Sequence, residues 1–186
     1  GPGGLRERGG RGIDAGAPSG PDAGSARQRA AQQAVHRLGL FRTLADYTPA
    51  LAGTIPLDVD IADSDLDVIC EARDLDAFEG RLRDAFGGQA GFWLRRIRRN
   101  DLPAVVAGFR YEGFAIEVFG QPRPVQEQDA YRHMRVEARL LDIGGEAARR
   151  AIRYLKQAGL KTEPAFARYF RLGGDPFQRL LELDTL

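Results

Sequence analysis

The chain lacks most of what would assign it to a specialised environment. It has one cysteine, Cys70, so no internal disulfide framework is possible, which suits a reducing compartment. Cys70 follows Val68 and Ile69 in an apolar run and reads as a buried apolar residue. Lys and Arg number 27 against 26 for Asp and Glu, which leaves no overall field to recruit a nucleic acid or a membrane surface. No apolar run reaches the length of about 20 residues needed to cross a bilayer. There is also no signal-peptide pattern, and the expected location is the cytoplasm. No internal repeat is present. What remains is 186 residues with enough apolar content for one core.

Residues 1–24 are rich in Gly and Pro with little apolar content and are expected to be disordered. Their opening Gly1-Pro2, without a Met, reads as the remnant of a protease site and is set aside from fold reasoning. Residues 25–186 are expected to form one domain, with a sheet-containing core over 25–123 and a helical part over 124–186. Ser25 can cap a helix that runs to about Leu38 and stops at Gly39. A further turn or two is expected over Leu40–Tyr47. Asp74 can cap a helix over 75–86 with the stripe Leu75, Phe78, Leu82 and Phe86, ended by Gly87-Gly88. Three strands are expected at about 91–98, 104–111 and 113–119, with turns at Asn100-Asp101 and Glu112-Gly113. Helices at about 125–142, 145–158, 163–171 and 176–183 follow, divided by glycines. Strands, one intervening helix and a helical tail make an α+β fold.

The stretch most informative about function is Leu51–Cys70. It holds a small-residue turn, Gly53-Thr54, and twelve residues after Gly53 comes Asp65 of Ser64-Asp65-Leu66-Asp67. The apolar run Leu66, Val68, Ile69 makes the second piece a strand with two carboxylates near its start. Side chains alternate across a strand, so Asp65 and Asp67 share one side while Leu66 and Val68 share the other. Paired carboxylates raise one another's pKa unless a cation sits between them, and hard divalent cations take such oxygen ligands. An EF-hand loop is excluded, because no Gly falls at the sixth position of frames starting at Asp58 or Asp60. Acidic residues also crowd strand ends for solubility, so the pair alone does not make a site. A third carboxylate, Glu117, stands among apolar residues in Gly113–Gln121, on the opposite side from Phe114, Ile116 and Val118. Burying it is costly unless it is paired or metal-bound; an edge-strand position or an ion pair with a nearby Arg is the alternative.

Gly53-Thr54, Ser64-Asp65-Leu66-Asp67-Val68 and Ile116-Glu117-Val118 together resemble the pattern of the nucleotidyltransferase superfamily, the polymerase-beta-like fold. Gln121-Pro122, Gln128–Met134 and Gly159–Ala167 resemble a small bacterial family within it, described only as a domain of unknown function. The resemblance runs from about Gln33 to the C-terminus. It implies a minimal nucleotidyltransferase core with a mixed, mostly antiparallel sheet. It further implies transfer of a nucleoside monophosphate from a triphosphate such as ATP to an acceptor hydroxyl on RNA, a protein or a small molecule, with neither a membrane nor DNA as partner. Asp65, Asp67 and Glu117 would hold Mg²⁺ or Mn²⁺ and carry catalysis, while Gly53, Thr54 and Ser64 would meet the nucleotide. Two departures are visible. The superfamily has Gly-Ser where this chain has Gly53-Thr54, and the segment Ile55–Ile61 is poor in helix formers where a helix usually follows. An inactive nucleotide- or RNA-binding module, or a toxin–antitoxin component, is therefore the alternative reading.

Two basic features complete the sequence reading. Phe92–Arg99 mixes aromatics with four arginines and could hold a nucleotide or an RNA backbone, or could be an amphipathic strand with solvated arginines. Tyr131, Met134, Ala138 and Leu141 share a helical core face. Arg132 and His133 lie off it and are expected to reach the nucleotide, the alternative for Arg132 being an ion pair with Asp129 or Glu137.

Overall fold

The computed structural model describes residues 24–185. The disorder expected over residues 1–24 therefore lies, apart from Gly24, outside the described residues. Helix α1 (Ala26–Leu38) starts at a reciprocal cap in which the Ser25 hydroxyl accepts from the Gln28 backbone amide and the Gln28 side chain accepts from the Ser25 amide. It ends at Gly39, in the left-handed region with φ 68°. The single turn α2 (Leu40–Thr43) and a 3₁₀ turn at Ala45–Tyr47 lead to the short strand β1 (Ala50–Ala52). That strand has no sequence signal of its own: three residues between Pro49 and Gly53 form it only because β2 (Leu66–Glu71) offers a free edge. Helix α3 (Leu75–Phe86), capped by Asp74 as expected, precedes β3 (Ala90–Arg99), β4 (Leu102–Tyr111) and β5 (Phe114–Gln121).

The five strands form one sheet in the order β1-β2-β5-β4-β3. Only β2 and β5 run parallel; every other neighbouring pair is antiparallel. Pleating sends alternate residues to opposite faces, and each face has its own core. On one face Leu66, Val68, Ile116 and Val118 pack with Ala34, Leu40, Phe78, Leu82 and Phe86 of the first three helices. On the other, Ile69 and Phe119 pack beneath Met134, Leu141, Ile152 and Phe166 of the C-terminal helices.

That C-terminal half consists of α4 (Asp129–Gln157), α5 (Thr162–Phe170) and α6 (Pro176–Leu183). The two helices expected at 125–142 and 145–158 form one 29-residue run, broken at Gly145 where φ is 63° and ψ −155°. The glycine pair thus marks a kink, not a loop. The run starts at Asp129 because the Gln128 side chain donates to the Cys70 carbonyl at 2.8 Å and to the Arg123 carbonyl at 3.1 Å, holding Gln128 extended. No helix among the described residues is long and apolar enough to cross a membrane.

The segment after Gly53 is a run of turns, not a helix. It is nonetheless held from both sides. Gln28 of α1 donates to the Ile55 and Pro56 carbonyls, at 3.0 and 3.2 Å. From α4, Arg149 reaches the Leu57 carbonyl, Arg153 pairs with Asp58, and Lys156 donates to the Val59 carbonyl at 3.1 Å. Backbone groups that a helix would satisfy internally are met here by side chains.

Candidate functional site

Register decides what the β2–β5 pair presents. Asp67 lies directly opposite Glu117 in the parallel ladder, so the two side chains emerge from the same face on adjacent strands. Asp65 sits one residue before β2 and projects to that same side. Carboxylate oxygens of Asp65, Asp67 and Glu117 lie within 4.8 Å of one another. The convergence follows from the parity of the three positions once the two strands are neighbours.

Burial and mutual repulsion act together on these groups. Burial, then the charges of Glu117, Asp65 and Glu163, push the Asp67 carboxyl up to about 7 from an ordinary 3.8. Burial and Asp65 also raise Glu117, while Arg99 and Arg95 partly offset them. Burial raises Asp65 against the opposing charge of Arg110. Three carboxylates whose charge is unfavourable without a cation form a donor set suited to a hard divalent ion such as Mg²⁺ or Mn²⁺. Gly53 makes room for this set. Its φ is +78°, and a Cβ there would stand 2.5 Å from Asp67 Oδ2, so only glycine fits beside the carboxylate.

The triad opens into a cavity of about 750 Å³ between the sheet and the C-terminal helices. Gly53, Thr54, Ser64 and His133 also line it. The Ser64 hydroxyl accepts from the Ile61 amide at 2.9 Å and keeps its own proton to donate. His133 Nε2 donates to the Phe177 carbonyl at 2.9 Å, with Nδ1 3.7 Å from Glu163.

Arg132 is not brought to the site. Its guanidinium donates to Asp184 Oδ2 and to the Leu181 carbonyl, both at 3.0 Å. Arg135 and Arg139 join it on the same carboxylate, and Arg135 foremost holds Asp184 down to about 2. Expecting Arg132 at the nucleotide is therefore corrected: leaving the core face of α4 carries it to α6, not into the cleft. Neither Asp129 nor Glu137 is its partner.

Several residues lining the cavity escaped the sequence reading. Glu137 is 2% exposed, and one of its carboxylate oxygens has no hydrogen-bond partner. Burial, and then Glu163 against it, raise its pKa well above the ordinary range. Lys156, also buried, is pushed down by burial against the pull of Asp60, Glu137 and Glu163. Glu137 stands three residues after Met134 and four before Leu141, so a charge on the apolar stripe was its available signal. The lysines had another: the chain has only two, Lys156 and Lys161, among its 27 basic residues, and both line the cavity.

A family model described as a domain of unknown function (DUF4269) matches residues 33–183. No curated protein matches the chain. Among solved structures, the Cid1 poly(U) polymerase with MgGTP bound superimposes with a TM-score of 0.52 at 12% identity, over 72% of this chain and 42% of that one. A mutant of Cid1 bound to MgATP gives 0.53 at 11% identity, over 84% and 49%. The chain thus spans less than half the length of these structures. At such identity the likeness shows the fold, which is that of the polymerase-beta-like nucleotidyltransferases.

Proposed function

The chain belongs to the DUF4269 family, and we propose that it is a metal-dependent nucleotidyltransferase moving a nucleoside monophosphate from a triphosphate such as ATP to an acceptor hydroxyl. The observation that carries this reading is the three-carboxylate cluster at the mouth of a cavity large enough for a nucleotide. Mg²⁺ or Mn²⁺ held by Asp65, Asp67 and Glu117 would supply positive charge to the triphosphate and to the attacking oxygen. The acceptor oxygen bonds to the α-phosphorus as the bond to the bridging oxygen breaks, and pyrophosphate leaves with that electron pair. The acceptor's proton passes to a Glu117 carboxylate oxygen, which acts as general base. Gly53 lets the backbone approach phosphate, and Thr54, Ser64 and Lys161 offer donors to the cavity. His133, fixed by its bond to Phe177, closes the helical side.

One observation favours a second reading, a binding module without turnover on the same fold. The turns over 54–61 provide no helix N-terminus to cradle a triphosphate. The two readings separate in a transfer assay with α-labelled triphosphates and Mn²⁺. We expect label on an acceptor, and an Asp67→Asn variant at least about a hundredfold slower, roughly 3 kcal/mol of barrier. Triphosphate binding without any transfer by the wild type would favour the binding module.

A further inference from the structure

Four arginines of β3 divide by parity into two environments. Arg96 and Arg98 point to one side: Arg96 pairs with Asp76 at 2.7 Å and Glu79 at 3.2 Å, and Arg98 donates to the Asp101 carbonyl. Arg95 and Arg99 point to the other, together with Trp93. Through the ladder, Trp93 stands opposite Gly108, and Gly108 opposite Glu117, so Asp67, Glu117, Gly108 and Trp93 form one row on the metal-site face. At the usual strand spacing Trp93 lies roughly 10 Å from Glu117. Gly108 has no Cβ because the Trp93 indole occupies that space. On β4, Arg110 has the same parity and stands beside Ala115, one strand from the row that ends at Asp65.

These three arginines share a property that Arg96 lacks. Arg95, Arg99 and Arg110 are exposed and make no ion pair with the described residues. Instead, Arg95 lies over the Trp93 ring at 4.5 Å and Arg99 over Phe119 at 5.5 Å. The C-terminal helices pack on Ile69 and Phe119 and leave the β4–β3 end of this face uncovered. Arg99 lines the cavity, but Trp93, Arg95 and Arg110 lie beyond it, where a small acceptor would have no use for them. A chain of phosphates with unstacked bases would use the whole strip, since arginine forks take phosphate oxygens and an indole takes a base. The absence of a net positive field over the whole chain is no obstacle, because the strip is local.

We propose that this uncovered strip is an acceptor platform for single-stranded polynucleotide. Bases stack at Trp93, phosphates meet Arg95, Arg99 and Arg110, and the terminal hydroxyl is delivered to Glu117. The identity of the acceptor hydroxyl rests on the transfer reading above; strand binding does not, and it is tested without metal or triphosphate.

Trp93 is the chain's only tryptophan, so its fluorescence reports the platform directly. The probes are a 15-nucleotide oligouridylate and the matching oligothymidylate, titrated against the full chain in EDTA at two salt concentrations. We expect either or both to quench Trp93. Arg95→Ala and Arg110→Ala should each weaken binding about three- to tenfold and flatten its salt dependence. Arg96→Ala, on the opposite face, should bind like wild type. Quenching by the oligouridylate alone supports an RNA strand, and by both a strand read through phosphate and base only. Absence of binding, binding without quenching, or equal losses in the Arg96 and Arg95 variants would overturn the platform. Transfer to a small hydroxyl compound with no oligonucleotide binding would overturn it while leaving the transfer reading intact. Oligonucleotide binding with no transfer to any acceptor would do the reverse.

Discussion

Strands β2 and β5 carry an apolar core on one face and a carboxylate cluster on the other. Leu66, Val68, Ile116 and Val118 point down into an apolar core with α1 and α3 and are all 2% exposed or less. Their sequence neighbours Asp65, Asp67 and Glu117 point up, where burial raises the proton affinity of each and like charge raises that of Asp67 and Glu117 further. One face lowers the free energy of the fold, and the other raises it to hold charge where a cation can use it. Strain of that kind is tolerated only on a foundation that over-determines the backbone. Here the foundation is the same pair of strands.

The comparison is sharpest at adjacent residues. Ile116→Ala should cost about 3 kcal/mol of stability, by lost burial and an unfilled cavity, measured by denaturant unfolding. Glu117→Gln, one residue on, should leave stability unchanged or higher, since it removes a charge from a repulsive cluster, yet slow transfer at least about a hundredfold. Equal destabilisation by the two would mean that the upper face is structural.

The carboxylate cleft and the α6 end should differ in the sign of their pH dependence. Folded Asp67 holds its proton up to about 7, and the unfolded chain releases it near 3.8. The folded state therefore binds the extra proton between those values, and its stability falls as pH rises from about 4 to about 7, by up to about 4 kcal/mol. Asp67→Asn should flatten that slope. Asp184, held at about 2 chiefly by Arg135, acts in the opposite sense: its contribution is present above its ordinary value and lost as pH falls toward 2. Chemical denaturation across pH 4 to 8, metal-free, isolates the cleft.

Arg132→Ala should have the smallest effect. Removing two hydrogen bonds to the α6 end should cost about 1–2 kcal/mol while triphosphate affinity, read by calorimetry with Mg²⁺, stays within twofold. A tenfold loss of affinity would return Arg132 to the site.

The carboxylate face was legible because the information is local: parity along 65–67 and 114–118 fixes which side chains share a side, and only the adjacency of β2 and β5 had to be supplied. The caps at Ser25 and Asp74 and the break at Gly145 were equally local. Three residues of β1 carried no periodicity, and the edge they pair with is a tertiary fact. Arg132 failed for a related reason. Helical spacing showed that it leaves the core face of α4 but could not say whether the cleft or α6 lay beyond. Glu137, Lys156 and Glu163 meet through helix packing, which no spacing in one element encodes, although a glutamate on an apolar stripe and a lysine pair in an arginine-rich chain were visible traces.

The central claim is that Asp65, Asp67 and Glu117 form a divalent-cation site. Calorimetric titration of Mn²⁺ into the metal-free protein tests it most directly, at pH 6 and pH 8, on wild type and Asp67→Asn. Wild type should bind Mn²⁺ more tightly at pH 8 than at pH 6 and release a proton as it does so, because a carboxyl that titrates near 7 must ionise to ligate. The variant should bind at least about tenfold more weakly and release no proton. Equal Mn²⁺ affinity in the two proteins, independent of pH, would contradict the account.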